Sequence, residues 1–249
     1  MKSKAINRTG AYTVCMGLEE FFGKKGIAQQ TPVAPEKHDE KAIEKVEVQN
    51  AYYRKIIERY AALVNENEEK TVPELKALID GNSEAVLALK KLVLEQVASK
   101  KTTLGSVVEG EHYDYEKDFL LAAEAAFALV RNLRQVHPEV SVSFWLAAKE
   151  ILELEAGDVF DKAILLCSLL KGLGAGAAIL VLELENNLIH PVVVFQYSGR
   201  GYLLDTSQPD SRLTTYGGAL DEVLQGFSFD GAKFLKKAYE FDNDNYKEY

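Results

Sequence analysis

Cysteine is almost absent from this chain: its 249 residues hold only Cys15 and Cys167. Two thiols so far apart make no disulfide framework, and no CxxC or Cys/His cluster has zinc-site spacing. No metal site and no cofactor is therefore expected. Long apolar runs are missing too, since no stretch approaches the ~20 residues of a membrane span. The first 26 residues carry basic side chains but no apolar core and no small-residue cleavage site, so a cytoplasmic location is expected. Positive charge is in short supply, with 29 Lys and Arg against 38 Asp and Glu, a net charge of −9. That balance excludes a global drive toward nucleic acid or anionic membranes. Proline is scarce, and two of the six stand together in Gln29 to Glu40, where charge is high and little can be buried. Residues 1–40 therefore read as a flexible N-terminal segment and linker.

What is present is a core. Hydrophobic residues make up 47% and charged residues 27%, enough for one large domain or a domain with a helical extension. Within the first segment, Val14, Leu18, Phe21 and Phe22 have helical spacing and predict a small packed helix. From Ala42 to about Glu66 the pattern is helical: Ile43, Val46, Val48, Tyr52, Ile56, Ile57, Tyr60 and Leu63 recur at three- and four-residue steps. A second helix is predicted from Thr71, an N-cap followed by Pro73 and Glu74. A third is predicted from Ser83 through Val97. Residues 41–100 thus read as a helical extension, with a boundary in 100–114 at Gly105 and Gly110. A long amphipathic helix is predicted over Glu116 to Val136, ended by His137-Pro138. A shorter one covers Phe144 to Glu153.

The segment after Gly157 is the most informative. Asp158 is a candidate N-cap with Asp161 at the third helical position, and the run from Val159 to Leu173 is apolar nearly all round before Gly174. Such a helix belongs at the centre of a core. Strands are predicted at Ala177 to Glu185, His190 to Tyr197 and Gly201 to Asp205, with turn residues between them. Helices followed by an antiparallel meander indicate an α+β fold.

Read in order, Gly157-Asp158-Val159-Phe160-Asp161-Lys162-Ala163, then Leu173-Gly174, then His190, then Gly201-Tyr202-Leu203-Leu204-Asp205-Thr206 resemble the transglutaminase-like domains of the papain-like cysteine-enzyme superfamily. Similar domains occur in uncharacterised archaeal proteins. The resemblance covers about residues 116–240 and implies a transglutaminase-like domain over 115–249, in which a central buried helix lies against an antiparallel sheet. It also implies that the family's nucleophile position falls on Val159, its histidine on His190 and its aspartate on Asp205. In the family a thiol at the helix N-terminus is activated and attacks an amide carbonyl, with His and Asp managing the proton. Valine has no nucleophilic atom.

The expected function is therefore a catalytically inactive binding or scaffold module, with a protein or peptide as its partner. The alternative is an active cysteine-type amide hydrolase, peptidase or acyltransferase that uses His190 and Asp205 with a relocated thiol such as Cys167. Cys167 lies eight residues along the helix from Val159, ~12 Å down the axis and ~80° around it, which favours a core thiol. Cys15 lies outside the matching segment. A third reading places partner binding on the N-terminal helices over 42–98. Two geometric expectations follow from the resemblance: the Val159 side chain faces His190, and His190 meets Asp205. A tight turn at Gly199-Arg200 would set Asp205 opposite Val194, ~13 Å along the strand from His190, so twist or a bulge would have to close the gap. The tail from Phe241 to Asn245 lacks the glycine and terminal glutamate of a calcium loop and reads as a solvated acidic tail.

Overall fold

A computed structural model of the chain describes residues 40–103, 113–137, 142, 144–207, 214–216 and 220–249. The expected N-terminal helix around Val14, the linker, Cys15 and the glycines of the 100–114 boundary lie outside the described residues.

The predicted helices form, with shifted ends. They are α1 (Glu40–Glu68), α2 (Val72–Ala77), α3 (Glu84–Thr103) and α4 (Tyr115–Arg131). At the start of α2, the Glu74 carboxylate accepts from the Thr71 backbone N–H at 2.8 Å, the reciprocal half of a capping box. α4 ends five residues earlier than its apolar pattern suggests. Arg134–Gln135 instead forms a short strand, β1, running parallel to β2 (Ala156–Gly157). Between these strands lies α5 (Ala148–Leu154), and β2 leads directly into α6 (Val159–Gly172).

The second half is a sheet with antiparallel pairing throughout. Its strands are β3 (Ala178–Leu184), β4 (Leu188–Tyr197), β5 (Arg200–Leu204), β6 (Thr214–Tyr216), β7 (Ser228–Phe229), β8 (Ala232–Phe241) and β9 (Tyr246–Glu248), with α7 (Leu220–Gln225) before β7. The order across the sheet is β6-β5-β4-β3-β8-β7, and β9 also pairs with β8. β3 is buried along nearly its whole length, as its unbroken Ala-Ile-Leu-Val-Leu run requires of a strand covered on both faces. The C-terminal residues do not form a solvated tail. Asp242 accepts from the backbone N–H groups of Asp244 and Asn245, closing a tight turn between β8 and β9.

Alternation along the strands separates two apolar layers. Ile179, Val181, Val193, Phe195, Tyr202 and Leu204 face the helices, in one cluster with α3, α4 and α6. Leu180, Leu182, Val192, Val194 and Leu203 face the other way, toward Leu224 of α7 and Phe229. α6 is buried on every side, and its leucines Leu165, Leu166, Leu169 and Leu170 are completely covered. Each contributes about 1.5–3 kcal/mol by leaving water.

The expected helical extension is divided by this packing. Leu75, Ile79, Val86, Leu89, Val93 and Val97 of the α2–α3 region enter the same cluster as α6. Approach there is close: a Cβ on Gly81 would stand 2.8 Å from the Gly172 backbone nitrogen, so the two chains meet only because neither residue has a side chain. α1 is different, since its described apolar side chains, from Val46 to Leu63, are in neither cluster.

Candidate functional site

The start of α6 is held as its sequence suggests. The Asp158 carboxylate accepts from the backbone N–H groups of Phe160 at 2.8 Å and Asp161 at 2.9 Å. Asp161 returns the bond, accepting from the Asp158 N–H at 3.1 Å and, with its other oxygen, from the Leu146 N–H at 3.2 Å. These two carboxylates satisfy the orphan donors of the first turn and suit the positive end of the helix dipole. Capping accounts for Asp158. Val159, the first helical residue, is buried in the helix-side cluster.

His190 and Asp205 do meet. The His190 Nε2 and Asp205 Oδ1 atoms are 3.2 Å apart, with the histidine completely buried and the aspartate 4% exposed. The contact is an ion-pair distance whose alignment falls short of a good hydrogen bond, and His190 Nδ1 has no hydrogen-bond partner among the described residues. The ring stacks on Phe229 at 4.1 Å between centroids and lies 5.7 Å from Phe227. Burial pushes the Asp205 carboxyl upward, but the adjacent His190 ring and the bonds donated by the Ser207 N–H and hydroxyl outweigh it and hold it below the usual value.

The gap expected between His190 and Asp205 closes through the turn. The observed hairpin pairs Tyr197 with Arg200 and Val193 with Leu204, so the two-residue loop is Ser198-Gly199 rather than Gly199-Arg200. Both loop residues have positive φ, 49° and 73°, the mirror-image geometry that suits the twist of two antiparallel strands. That shift by two carries Asp205 to the rung opposite Val192, beside His190 rather than ~13 Å away. No bulge is needed. β5 has already ended where β4 reaches Pro191, which leaves that proline without a partner strand to satisfy on the β5 side.

His190 pairs with Leu182 and shares its face, the one covered by Phe227 and Phe229, while Val159 belongs to the opposite, helix-covered layer. Cys167 also lies in the helix-side layer, completely buried, and burial pushes its thiol up to about 12. A nucleophilic thiol needs the reverse, an electropositive and accessible setting that lowers its pKa.

Sequence reasoning passed over Lys162. It is 1% exposed, inside α6, and its ammonium group donates to the backbone carbonyls of Arg131 and Leu133 at 2.9 and 3.2 Å and to Gln135 Oε1 at 3.3 Å. It thus caps the C-terminal end of α4 from a neighbouring helix. Burial lowers its pKa to about 8, the nearby Asp205 carboxylate opposes that fall, and Arg131 adds to it. The lysine is protonated at neutral pH and ties α6, α4 and β1 together. The only signal in the sequence was a lysine in the first turns of a largely apolar helix, far from the last turn where Lys171 stands.

Among the described residues, no helix is long and apolar enough to cross a membrane. No family model matches the chain, and no curated protein matches it. Among solved structures it is similar to Legionella pneumophila LapG, with a TM-score of 0.40 and 16% identity over 66% of this chain and 87% of that one. It is also similar to calcium-bound Legionella pneumophila LapG, with a TM-score of 0.38 and 13% identity over 64% of this chain and 87% of that one.

Proposed function

We propose that this protein is a catalytically silent relative of the transglutaminase-like domains that acts as a peptide- or protein-binding module. The carrying observation is the alkyl side chain of Val159 at the first turn of α6, where the resembling motif places its nucleophile. Three further features support this reading. The sole described thiol, Cys167, is buried and held protonated. His190 has no exposed surface through which to reach a substrate. The His190–Asp205 contact joins the end of β4 to the chain leaving β5. In this reading the pair has a structural role and Val159 occupies a vestigial position.

Thiol alkylation of the native full chain tests the silent half. In a Cys15→Ala background, iodoacetamide is expected to leave Cys167 unmodified by peptide mass spectrometry. Labelling of native Cys167 that disappears in a His190→Ala variant would overturn the reading, because it would reveal an activated thiol. If His190→Ala only loosens the fold, labelling rises instead of falling, so the two outcomes are distinct. The binding half is tested by peptide display against the native chain. It fails if no sequence is enriched over a blank surface.

A further inference from the structure

α1 is 29 residues long, about 43 Å. Val46, Tyr53, Ile56, Tyr60 and Leu63 recur along it at steps of three and four, with Gln49 completing the series, and all five apolar side chains are between 40% and 56% exposed. Spacing of this kind is a heptad seam. Charge lies off the seam: Lys55 and Glu58 pair at 2.8 Å on the outer face. A helix with such a stripe gains most of its stability from covering it, because an isolated helix in water is marginal.

We infer that a second copy of this chain covers the stripe, with the two α1 helices packed antiparallel. The seam is self-complementary about its own midpoint, between Tyr53 and Ile56, which is also close to the middle of the helix. An antiparallel two-fold places Tyr53 against the partner helix at the position of Ile56, Val46 against that of Leu63, and Gln49 against that of Tyr60. Each aromatic ring thus meets an aliphatic or amide group, whereas parallel in-register packing would set Tyr53 and Tyr60 each against its own counterpart. The flanks agree. In the antiparallel pair Tyr52 falls beside Arg59 on both sides, a cation–π arrangement, and no like charges face each other. The seam runs for about 27 Å and carries half-exposed tyrosines and aliphatics. That gives an interface of the order of several hundred Å² on each copy, near the ~800 Å² per partner of stable interfaces. The two-fold also closes, so the assembly stops at two.

Sedimentation equilibrium of the full chain at tens of micromolar checks the assembly, and cysteine cross-linking checks its direction. The expected mass is twice the 27.7 kDa of one chain, falling to one chain in Ile56→Glu, with circular dichroism confirming that the α2–α6 core stays folded. In a Cys15→Ala background, neither Tyr53→Cys nor Ile56→Cys alone is expected to cross-link. A mixture of the two should give a disulfide-linked dimer. A monomeric wild-type chain, or a dimer that survives Ile56→Glu, overturns the inference. Cross-linking of Ile56→Cys with itself overturns the antiparallel direction.

Discussion

α6 and α1 are both helices with many apolar residues, and they stand at opposite extremes of burial. α6 is enclosed on every side, down to its lysine, while α1 shows its apolar stripe to solvent. The difference lies in what surrounds each helix. α6 is short and apolar all round, so α3, α4 and the sheet can close over it. α1 is long and carries a heptad series of half-exposed apolar residues among its charges, with Val48, Tyr52 and Ile57 exposed beside it, the form of a helix that packs on a partner. Burial is thus a property of the arrangement as well as of the residues.

Three pairs of substitutions would break or sharpen that contrast. The largest effect is expected from Leu166→Ala in α6, which removes a completely buried side chain and leaves a cavity, at about 2–5 kcal/mol. Ile56→Ala in α1 should stay within about 0.5 kcal/mol for the isolated chain, as exposed sites do. Urea midpoints at low protein concentration measure both, and a loss in Ile56→Ala comparable to that in Leu166→Ala would mean that α1 is packed onto the same core.

The next effect concerns charge. Lys162→Met leaves the Arg131, Leu133 and Gln135 oxygens without their donor, and a loss of about 1–3 kcal/mol is expected at neutral pH. Lys55→Met on α1 removes only an exposed ion pair and should be near neutral. The pH dependence has a definite sign. The folded chain holds the Lys162 proton less tightly than the unfolded chain, with a pKa of about 8 against the usual 10.5. The buried charge therefore costs stability below about pH 8, and that cost fades as pH rises toward 10.5. Unfolding of wild type and Lys162→Met across this range should show the wild type gaining relative to the variant. The Cys167 contribution, present in both chains, cancels in the difference. A flat difference would show that the ammonium group is better solvated than its position implies.

The smallest effect is expected at the cap. Asp158→Ala removes the acceptor for the Phe160 and Asp161 N–H groups and should cost about 1 kcal/mol, with Asp158→Asn retaining most of the stability. Thermal unfolding measures the pair. Equal losses would point to charge rather than hydrogen bonding as the contribution of Asp158.

Much of this fold was legible in the residues that repeat. The all-round apolar run from Val159 to Leu170 marked a central helix, and the unbroken run from Ala178 to Leu182 marked a central strand. Both follow from periodicity alone. The stripe on α1 was equally visible, but periodicity shows that a face is apolar and not what covers it. Lys162 was missed because lysine is almost never fully buried, and only a set of carbonyls converging from distant residues makes its burial tolerable. β8 was missed because its Lys236-Lys237 pair and mixed exposure break the alternation of a half-buried strand. The neighbourhood of His190 and Asp205 was expected from resemblance, while the packing of His190 on Phe229 depends on which face of β4 each even-numbered residue takes. That parity is set by the register with β3.

Ser198 and Gly199 give that parity a mechanical consequence. The two-residue loop is the gauge that measures out β5, and everything downstream inherits its length. One residue inserted there would exchange the faces of β5, turning Tyr202 and Leu204 away from the helices and carrying the Asp205 carboxylate to the wrong side of the sheet. Two residues inserted with the turn kept tight would keep the face but move the carboxylate about 7 Å along the strand, from the rung of Val192 to that of His190. The buried contact between His190 and Asp205 is thus metered by a two-residue loop.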